Sequence, residues 1–200
     1  MAEISDERVV SRDPSEELSC DGVEARHYLD RIAQIGDALT RDGAMGLILI
    51  DGTSLERIER SYGVQAHHNA GEMLRTLVRE ACRQDLSEHD LVVTGSASPD
   101  ELAIFFFRPR SDDGFYRERL PELAQRLLDR IASEGQRIVY PYDRDAPYLP
   151  VGHATIFHNP GLGDQRQIFE AFEHARRDAK LNGAIARRER HRLFQDLVLA

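Results

Sequence analysis

Apolar residues recur along the chain at two spacings, one typical of strands and one typical of helices. Residues 46–50 form a continuous apolar run that ends at Asp51, which indicates a central strand buried on both faces. Apolar positions three and four residues apart predict amphipathic helices within residues 24–41, 55–62, 70–81, 120–131 and 168–183. The last helix runs toward Gly183. Its continuation through the arginine-rich run that follows, and a final edge strand at residues 193–194, both remain open.

The segment 91–107 has the pattern of a β-hairpin. A short apolar strand leads into a cluster of small residues with Pro99, and a strand rich in β-branched and aromatic residues leads out. The predicted turn presents two neighbouring carboxylates, Asp100 and Glu101. Further short strands are expected at residues 137–140 and 151–157.

The order of these elements is βααββαβα, which predicts an α+β fold. It resembles a ferredoxin-like or nucleotidyl-cyclase-type antiparallel sheet, and we expect the helices to cover one side of that sheet. Residues 1–22 are acidic and rich in serine, which predicts a flexible tail. Residues 23–43 are interpreted as an N-terminal helix for docking or dimerisation, and residues 44–200 as the globular domain.

The composition of the chain limits the kinds of partner that it is expected to bind. The net charge of −9 argues against broad binding to nucleic acid or to an anionic membrane, since both depend on basic protein surface. The arginine-rich run at 186–192 is interpreted as a solvated helix face. No apolar run is long enough for a membrane helix, and the two cysteines, Cys20 and Cys82, lie far apart with no metal-type spacing. We therefore expect a cytoplasmic protein without disulfide bonds.

Several short motifs, in order, resemble those of a bacterial GGDEF domain, the domain of diguanylate cyclases. The apolar strand ending at Asp51 is similar to the first strand of that family, and Tyr62-Gly63 to the end of its first helix. The family's signature hairpin corresponds to residues 98–102, and its Ala-x-x-x-Ala-Lys-x-x-Gly ending to residues 175–183. The resemblance covers roughly residues 44–195.

The resemblance implies a nucleotide site that needs Mg²⁺. Asp51 and Asp100 correspond to the carboxylates that hold the metal against the triphosphate, and Lys180, the only lysine, corresponds to a phosphate contact. Each domain of the family holds one nucleotide, so two domains must meet for catalysis.

The chain also departs from the family at supporting positions. The two signature glycines, which admit the nucleotide, correspond to Ser98 and Pro99, and the aromatic at the end of the signature is Leu102. The two positions that read guanine are occupied by Glu59 and Gly71. The other residues changed relative to the family are Ala184, at a second phosphate contact, and Ser87 in Ser87-Glu-His-Asp90, where the Arg of the product-inhibition site belongs.

Two hypotheses follow from this mixture. The first is a catalytically inactive GGDEF-like domain that regulates or binds another protein, or itself through the N-terminal helix, and requires no cofactor. The alternative is a nucleotide receptor for GTP or cyclic di-GMP, or a weak cyclase, that uses Asp51, Asp100 and Lys180 with Mg²⁺. His67 and His68 are interpreted as solvated residues of a polar connector at 64–69.

Overall fold

A computed structural model of the chain describes residues 27–95 and 100–198, with side chains described as far as residue 185. Its centre is a four-stranded antiparallel sheet in the order β2-β3-β1-β4. The strands are β1 (Ala44–Asp51), β2 (Leu91–Thr94), β3 (Glu101–Phe106) and β4 (Val151–Phe157). The helices are α1 (Ile32–Asp42), α2 (Glu56–Tyr62), α3 (Val64–Cys82), α4 (Leu120–Glu134), α5 (Gln136–Val139) and α6 (Asp164–Val198). This confirms the predicted α+β fold and the order of its strands.

Strand β1 is buried on both faces, as its continuous apolar run predicts. Because successive side chains of a strand point to opposite faces, the run divides between two hydrophobic cores. Ile48 and Ile50 belong to one core, and Leu47 and Leu49 belong to the other. All four are fully buried.

Helices cover both sides of the sheet, so the expectation of helices on one side is wrong. Helices α2, α3, α4 and α5 contribute to one core, whereas α1 and α6 contribute to the other. The physical reason is in β1 itself, because a strand that is apolar on both faces requires a covering layer on each.

Helix α1 and the 3₁₀ turn that precedes it, Tyr28–Arg31, form part of the second layer. Ile35 and Leu39 are fully buried, and Tyr28 packs edge-on against Phe172 of α6 with ring centroids 4.8 Å apart. The apolar face of this helix, on which the docking prediction rested, thus packs against the sheet and α6 of the same chain. A docking or dimerisation role for this helix stays a prediction, and it would have to use the exposed side, which carries Leu29.

Two local expectations are wrong, and the open possibility of a final edge strand is excluded. Residues 136–139 form the short helix α5 rather than a strand at 137–140, because Ile138 and Val139 are both buried against the helical layer and tertiary packing overrides their strand propensity. The connector at 64–69 is the start of α3. The backbone at 193–194 belongs to α6, so the final edge strand is absent from this part of the described chain.

Within the part of the chain that the structure describes, no helix is both long enough and apolar enough to cross a lipid bilayer.

Candidate functional site

The carboxylates singled out in the sequence converge at one end of the sheet. Asp51 ends β1, and in the antiparallel register it lies opposite Glu101, the first residue of β3. Asp100 precedes Glu101 and packs its backbone against Gly52, where an added Cβ would lie 2.0 Å from the Asp100 carbonyl oxygen. Gly52 is therefore the residue that allows Asp51 and Asp100 to share this corner.

The side chain of Asp51 is held locally. Its Oδ1 accepts a hydrogen bond from the backbone N–H of Thr53 at 3.0 Å and a second, short one from the Thr53 hydroxyl. Such a turn, in which an Asp side chain bonds to the backbone two residues later, is common after a strand. It fixes the direction of the carboxylate at the edge of the site.

The side chain of Asp100 is mostly buried, with 8% of its surface exposed. Burial raises its pKa above the ordinary value, and the charge of His67 only partly offsets this effect. Nε2 of His67 lies 2.7 Å from Oδ1 of Asp100, a charge-pair distance when the imidazole is protonated.

His67 also reaches the other side of the site. Its Nδ1 lies 3.8 Å from Oε2 of Glu59 on α2, a carboxylate that is largely exposed. The imidazole therefore stands between Asp100 and Glu59, the residues that correspond by resemblance to a metal carboxylate and to a guanine-reading position.

Glu101 is buried in β3 rather than presented at a turn, which corrects the expectation for the second hairpin carboxylate. It is 5% exposed and forms a two-pronged ion pair with Arg176 of α6, with Nε to Oε1 at 2.7 Å and Nη2 to Oε2 at 2.9 Å. Gly95 leaves room for it, since an added Cβ there would lie 2.4 Å from the Glu101 side chain. This carboxylate is a fixed link between the sheet and α6.

A cleft of about 390 Å³ opens beside these acids. One wall is a face of α3, where His67, Gly71 and Arg75 follow one another at intervals of four residues. The remaining lining residues are His27, Leu55, Val64, His68, Leu74, Thr94, Asp100, Glu101 and Leu102. The cleft therefore combines an apolar floor with histidine, arginine and carboxylate groups, which suits a small polar ligand.

The structure brings some predicted residues together and leaves others apart. Lys180 is exposed on α6, one turn after Arg176, and does not line the cleft. Ser98 and Pro99 lie outside the described residues, whereas Leu102 is buried in β3. Carboxylates such as Asp51 and Asp100 are suitable ligands for Mg²⁺. Within residues 27–95 and 100–198, no cluster of three or more His, Cys, Asp or Glu is arranged to hold a metal, and the Mg²⁺ site stays a prediction.

Sequence reasoning missed two residues of this site. His67 was interpreted as a solvated connector residue, although Ala66 and Ala70 continue backward the apolar spacing of α3 and could have placed it on a helix. Arg176 lies within the C-terminal motif at residues 175–183, but the motif predicts no function for it. Its partner Glu101 is 75 residues away in sequence, and no local pattern signals that pairing.

The segment Ser87-Glu-His-Asp90 stands where the family has its product-inhibition motif. Its Asp90 is bound by Arg108, which lies elsewhere in the chain. The side chain of Asp90 is fully buried, and it accepts hydrogen bonds from the backbone N–H of Phe107 at 2.9 Å and of Ser87 at 2.8 Å. Arg108 supplies two further hydrogen bonds, at 2.8 and 2.9 Å, from the far end of the hairpin. Asp90 thus fastens the loop before β2 to the end of β3.

Comparison with solved structures identifies the fold. The chain superposes on the GGDEF domain of YfiN (TpbB) from Pseudomonas aeruginosa with a TM-score of 0.53 and 17% identity, over 83% of this chain and 92% of that one. It superposes on the active GGEEF domain of a diguanylate cyclase from Vibrio cholerae with a TM-score of 0.51 and 17% identity, over 76% and 86%.

A third similar structure is the diguanylate cyclase SiaD from Pseudomonas aeruginosa in complex with its activator SiaC, with a TM-score of 0.51 and 15% identity, over 78% of this chain and 54% of that one. No protein-family model matches the sequence, and no curated protein matches it. The likeness is therefore one of structure, and it shows that this chain has the fold of a GGDEF domain.

Proposed function

We propose that the chain is a GGDEF-fold domain without cyclase activity, which acts in bacterial signalling as a regulatory or protein-interaction module. The observation that carries the proposal is the position of His67 between Asp100 and Glu59, at 2.7 and 3.8 Å. A side chain of α3 thereby links the metal-carboxylate position to a base-reading position within the protein itself.

The neighbouring positions support the same proposal. Glu101 is engaged by Arg176, and Gly71, at the second base-reading position, has no side chain with which to bond a base. An ionised Glu59 can only accept hydrogen bonds. Each lost polar contact typically costs about 1–3 kcal/mol of binding energy, so several losses together would abolish useful affinity for GTP.

A protein-binding role has a precedent among similar folds. SiaD is a diguanylate cyclase whose structure contains its activator protein SiaC. A GGDEF domain can thus belong to a chain with a dedicated protein partner. The present chain would retain the fold for such contacts after losing the reaction.

The proposal is tested by incubating the purified chain with GTP and Mg²⁺ and measuring cyclic di-GMP by chromatography. We expect no product from the native chain, from Asp100→Ala or from His67→Ala. Turnover by the native chain that Asp100→Ala abolishes would contradict the proposal, because it would show a working metal carboxylate.

The open cleft beside Asp100 favours a second candidate function, that of a nucleotide receptor. Its volume of about 390 Å³ and its mixture of apolar and charged walls suit a small polar ligand. In this case Asp51 and Asp100 would bind GTP or cyclic di-GMP through Mg²⁺, and Lys180, which lies on α6 outside the cleft lining, would contact a phosphate that extends beyond the cleft.

Calorimetry and thermal unfolding in the presence of Mg²⁺ separate the two candidates. A receptor is expected to show heat of binding and a ligand-dependent rise in melting temperature that Lys180→Ala removes, whereas the matched variant Arg177→Ala keeps it. No effect at millimolar GTP or cyclic di-GMP would eliminate the receptor hypothesis.

A further inference from the structure

The corner formed by Asp51 and Asp100 does not fit Mg²⁺ as it stands. The ion requires a nearly ideal octahedron of oxygen ligands at about 2.0–2.1 Å. Oδ1 of Asp51 already accepts two hydrogen bonds from Thr53, and Oδ1 of Asp100 has Nε2 of His67 at 2.7 Å. Two atoms this close leave no room for a metal ion between them. The two carboxylates are therefore engaged by side chains of the protein itself.

Carboxylates from separate elements share this corner. Asp51 ends β1 and Asp100 directly precedes β3, while the charges of Glu56 and Glu59 on α2 also act on Asp100. A bound divalent cation is a common counter-ion for such a group of acids. Here the imidazole of His67 lies among them, 2.7 Å from Asp100 and 3.8 Å from Glu59.

Helix α3 holds His67 in this position. Ala66 and Ala70 are buried against the core, which fixes the face of the helix that turns toward the cleft. The side chain of His67 is 19% exposed, and its Nε2 atom is buried. One turn later the same face carries Gly71, which adds no side chain. His67 is therefore the side chain of α3 that covers Asp100.

We propose that His67 takes the place of a divalent cation at Asp100, and that this one side chain excludes metal from the corner. The inference rests on the proposed function only for the comparison of Asp100 with a metal carboxylate, and it concerns binding rather than catalysis. Shortening His67 uncovers Oδ1 of Asp100 and leaves Asp51 and Glu59 unchanged. The shortened variant should therefore acquire an affinity for divalent cations that the native chain lacks.

The probe is Mn²⁺, which takes the same carboxylate and water ligands as Mg²⁺ and whose free ion is measured directly by electron paramagnetic resonance. In the full-length chain, we expect His67→Ala to bind Mn²⁺ at least ~10-fold more tightly than the native protein. The variant His67→Ser, which is also too short to reach Asp100, should show the same gain. In thermal unfolding, ~10 mM Mg²⁺ should raise the melting temperature of His67→Ala but not that of the native chain.

Two further variants serve as controls. His68 is the neighbouring histidine, exposed at the edge of the same cleft, and His68→Ala should leave the affinity for Mn²⁺ at the native level. Adding Asp100→Asn to His67→Ala should remove the gain, because the cation would lose the carboxylate that His67 covers.

Three outcomes would overturn the proposal. Native binding of Mn²⁺ as tight as that of His67→Ala would show that His67 excludes nothing, and native binding that His67→Ala abolishes would make His67 a ligand. No gain in either shortened variant would show that the corner cannot hold a cation even when Asp100 is uncovered. Native binding without cyclic di-GMP production would overturn this inference alone, whereas production by the native chain would contradict the proposed function as well.

Discussion

At the scale of single residues, three carboxylates each have a specific basic partner. Glu101 has Arg176, Asp90 has Arg108, and Asp100 has His67. The first two pairs join separate elements through several hydrogen bonds and are structural. The third lies at the mouth of an open cleft, where burial holds a carboxyl group at a raised pKa. At Asp100, therefore, a charged carboxylate that would suit ligand binding lowers the stability of the fold because it is buried.

Removing the guanidinium of Arg176 should destabilise the fold. Arg176→Met keeps an apolar side chain beside Phe172 but leaves the buried Glu101 carboxylate without this cation. We expect a loss of about 3–5 kcal/mol in the free energy of unfolding, measured by urea denaturation. The matched variant Arg177→Met, at an exposed neighbouring position, should change it by less than about 0.5 kcal/mol.

The double variant Glu101→Met with Arg176→Met supplies the internal check. Replacing both charges removes the unsatisfied carboxylate, so most of the lost stability should return. A double variant as unstable as Arg176→Met would show that the single substitution acts through packing rather than through charge.

Asp100 should make the stability of the chain depend on pH. Because its pKa is raised on folding, the folded state holds this proton more tightly than the unfolded state. The resulting stabilisation is complete below the unfolded pKa and is lost as pH rises through the folded pKa. Asp100→Asn should therefore raise the free energy of unfolding near neutral pH, and the gain should shrink as pH falls toward about 4.

Urea denaturation across this pH range measures the effect, with the exposed Asp37→Asn as control. A variant that is less stable than the native chain at neutral pH would show that the ion pair with His67 outweighs the cost of burying the carboxylate.

At the scale of elements, α6 is the component that ties the site to the sheet. It packs against β4 so closely that an added Cβ at Gly152 would lie 2.1 Å from the carbonyl oxygen of Ala175 and 2.3 Å from the backbone nitrogen of Ala179. Asn182 and Asp178 also bond to the backbone of β4. The same helix delivers Arg176 to Glu101, so its distance from the sheet sets the geometry of that pair.

Gly152→Ala should separate α6 from the sheet. Both clashing atoms belong to backbone and cannot rotate away, so we expect a destabilisation of at least about 3 kcal/mol, comparable to severe overpacking. Thermal unfolding measures it. Gly163→Ala is the matched control, because an added Cβ there meets nothing within 4 Å. Equal melting temperatures for the two variants would refute this account of the β4–α6 contact.

At the scale of the whole molecule, the two cores share one sheet. Strands β1 and β3 place alternate side chains into each core, so the loss of either helical layer exposes one face of both strands. The two layers should therefore unfold together. The residues of α1 belong to this cooperative unit rather than to a separate appendage.

Matched truncations in the two cores test this cooperativity. Leu39→Ala opens a cavity beneath α1, and Leu74→Ala opens one beneath α3 on the opposite face. Each should lower the free energy of unfolding by about 2–5 kcal/mol while leaving a single transition by circular dichroism and by tyrosine fluorescence. Two separate transitions in either variant would show that the layers fold independently.

Much of this molecule could be predicted from local pattern. The apolar run at 46–50 identified the buried central strand, and the 91–107 pattern identified the hairpin. Helical periodicity located α4 within a few residues and the end of α1 within one residue, but it placed the start of α1 eight residues too early. Helix α5 was not predicted because its four residues are too few to show a helical periodicity. The start of α3 was predicted as a connector because the polar residues of its first turns resemble a loop.

The sequence by itself determined most of the order of the elements, because periodicity and turn residues act over neighbouring positions. That Asp51 and Asp100 lie close together was implied only by the resemblance to the GGDEF family. Only the tertiary structure decided that helices cover both faces, that Glu101 is paired with Arg176, and that His67 lies between Asp100 and Glu59. Those contacts join residues from 8 to 75 positions apart on different elements. They depend on how the helices pack against the sheet, and no local sequence pattern encodes that packing.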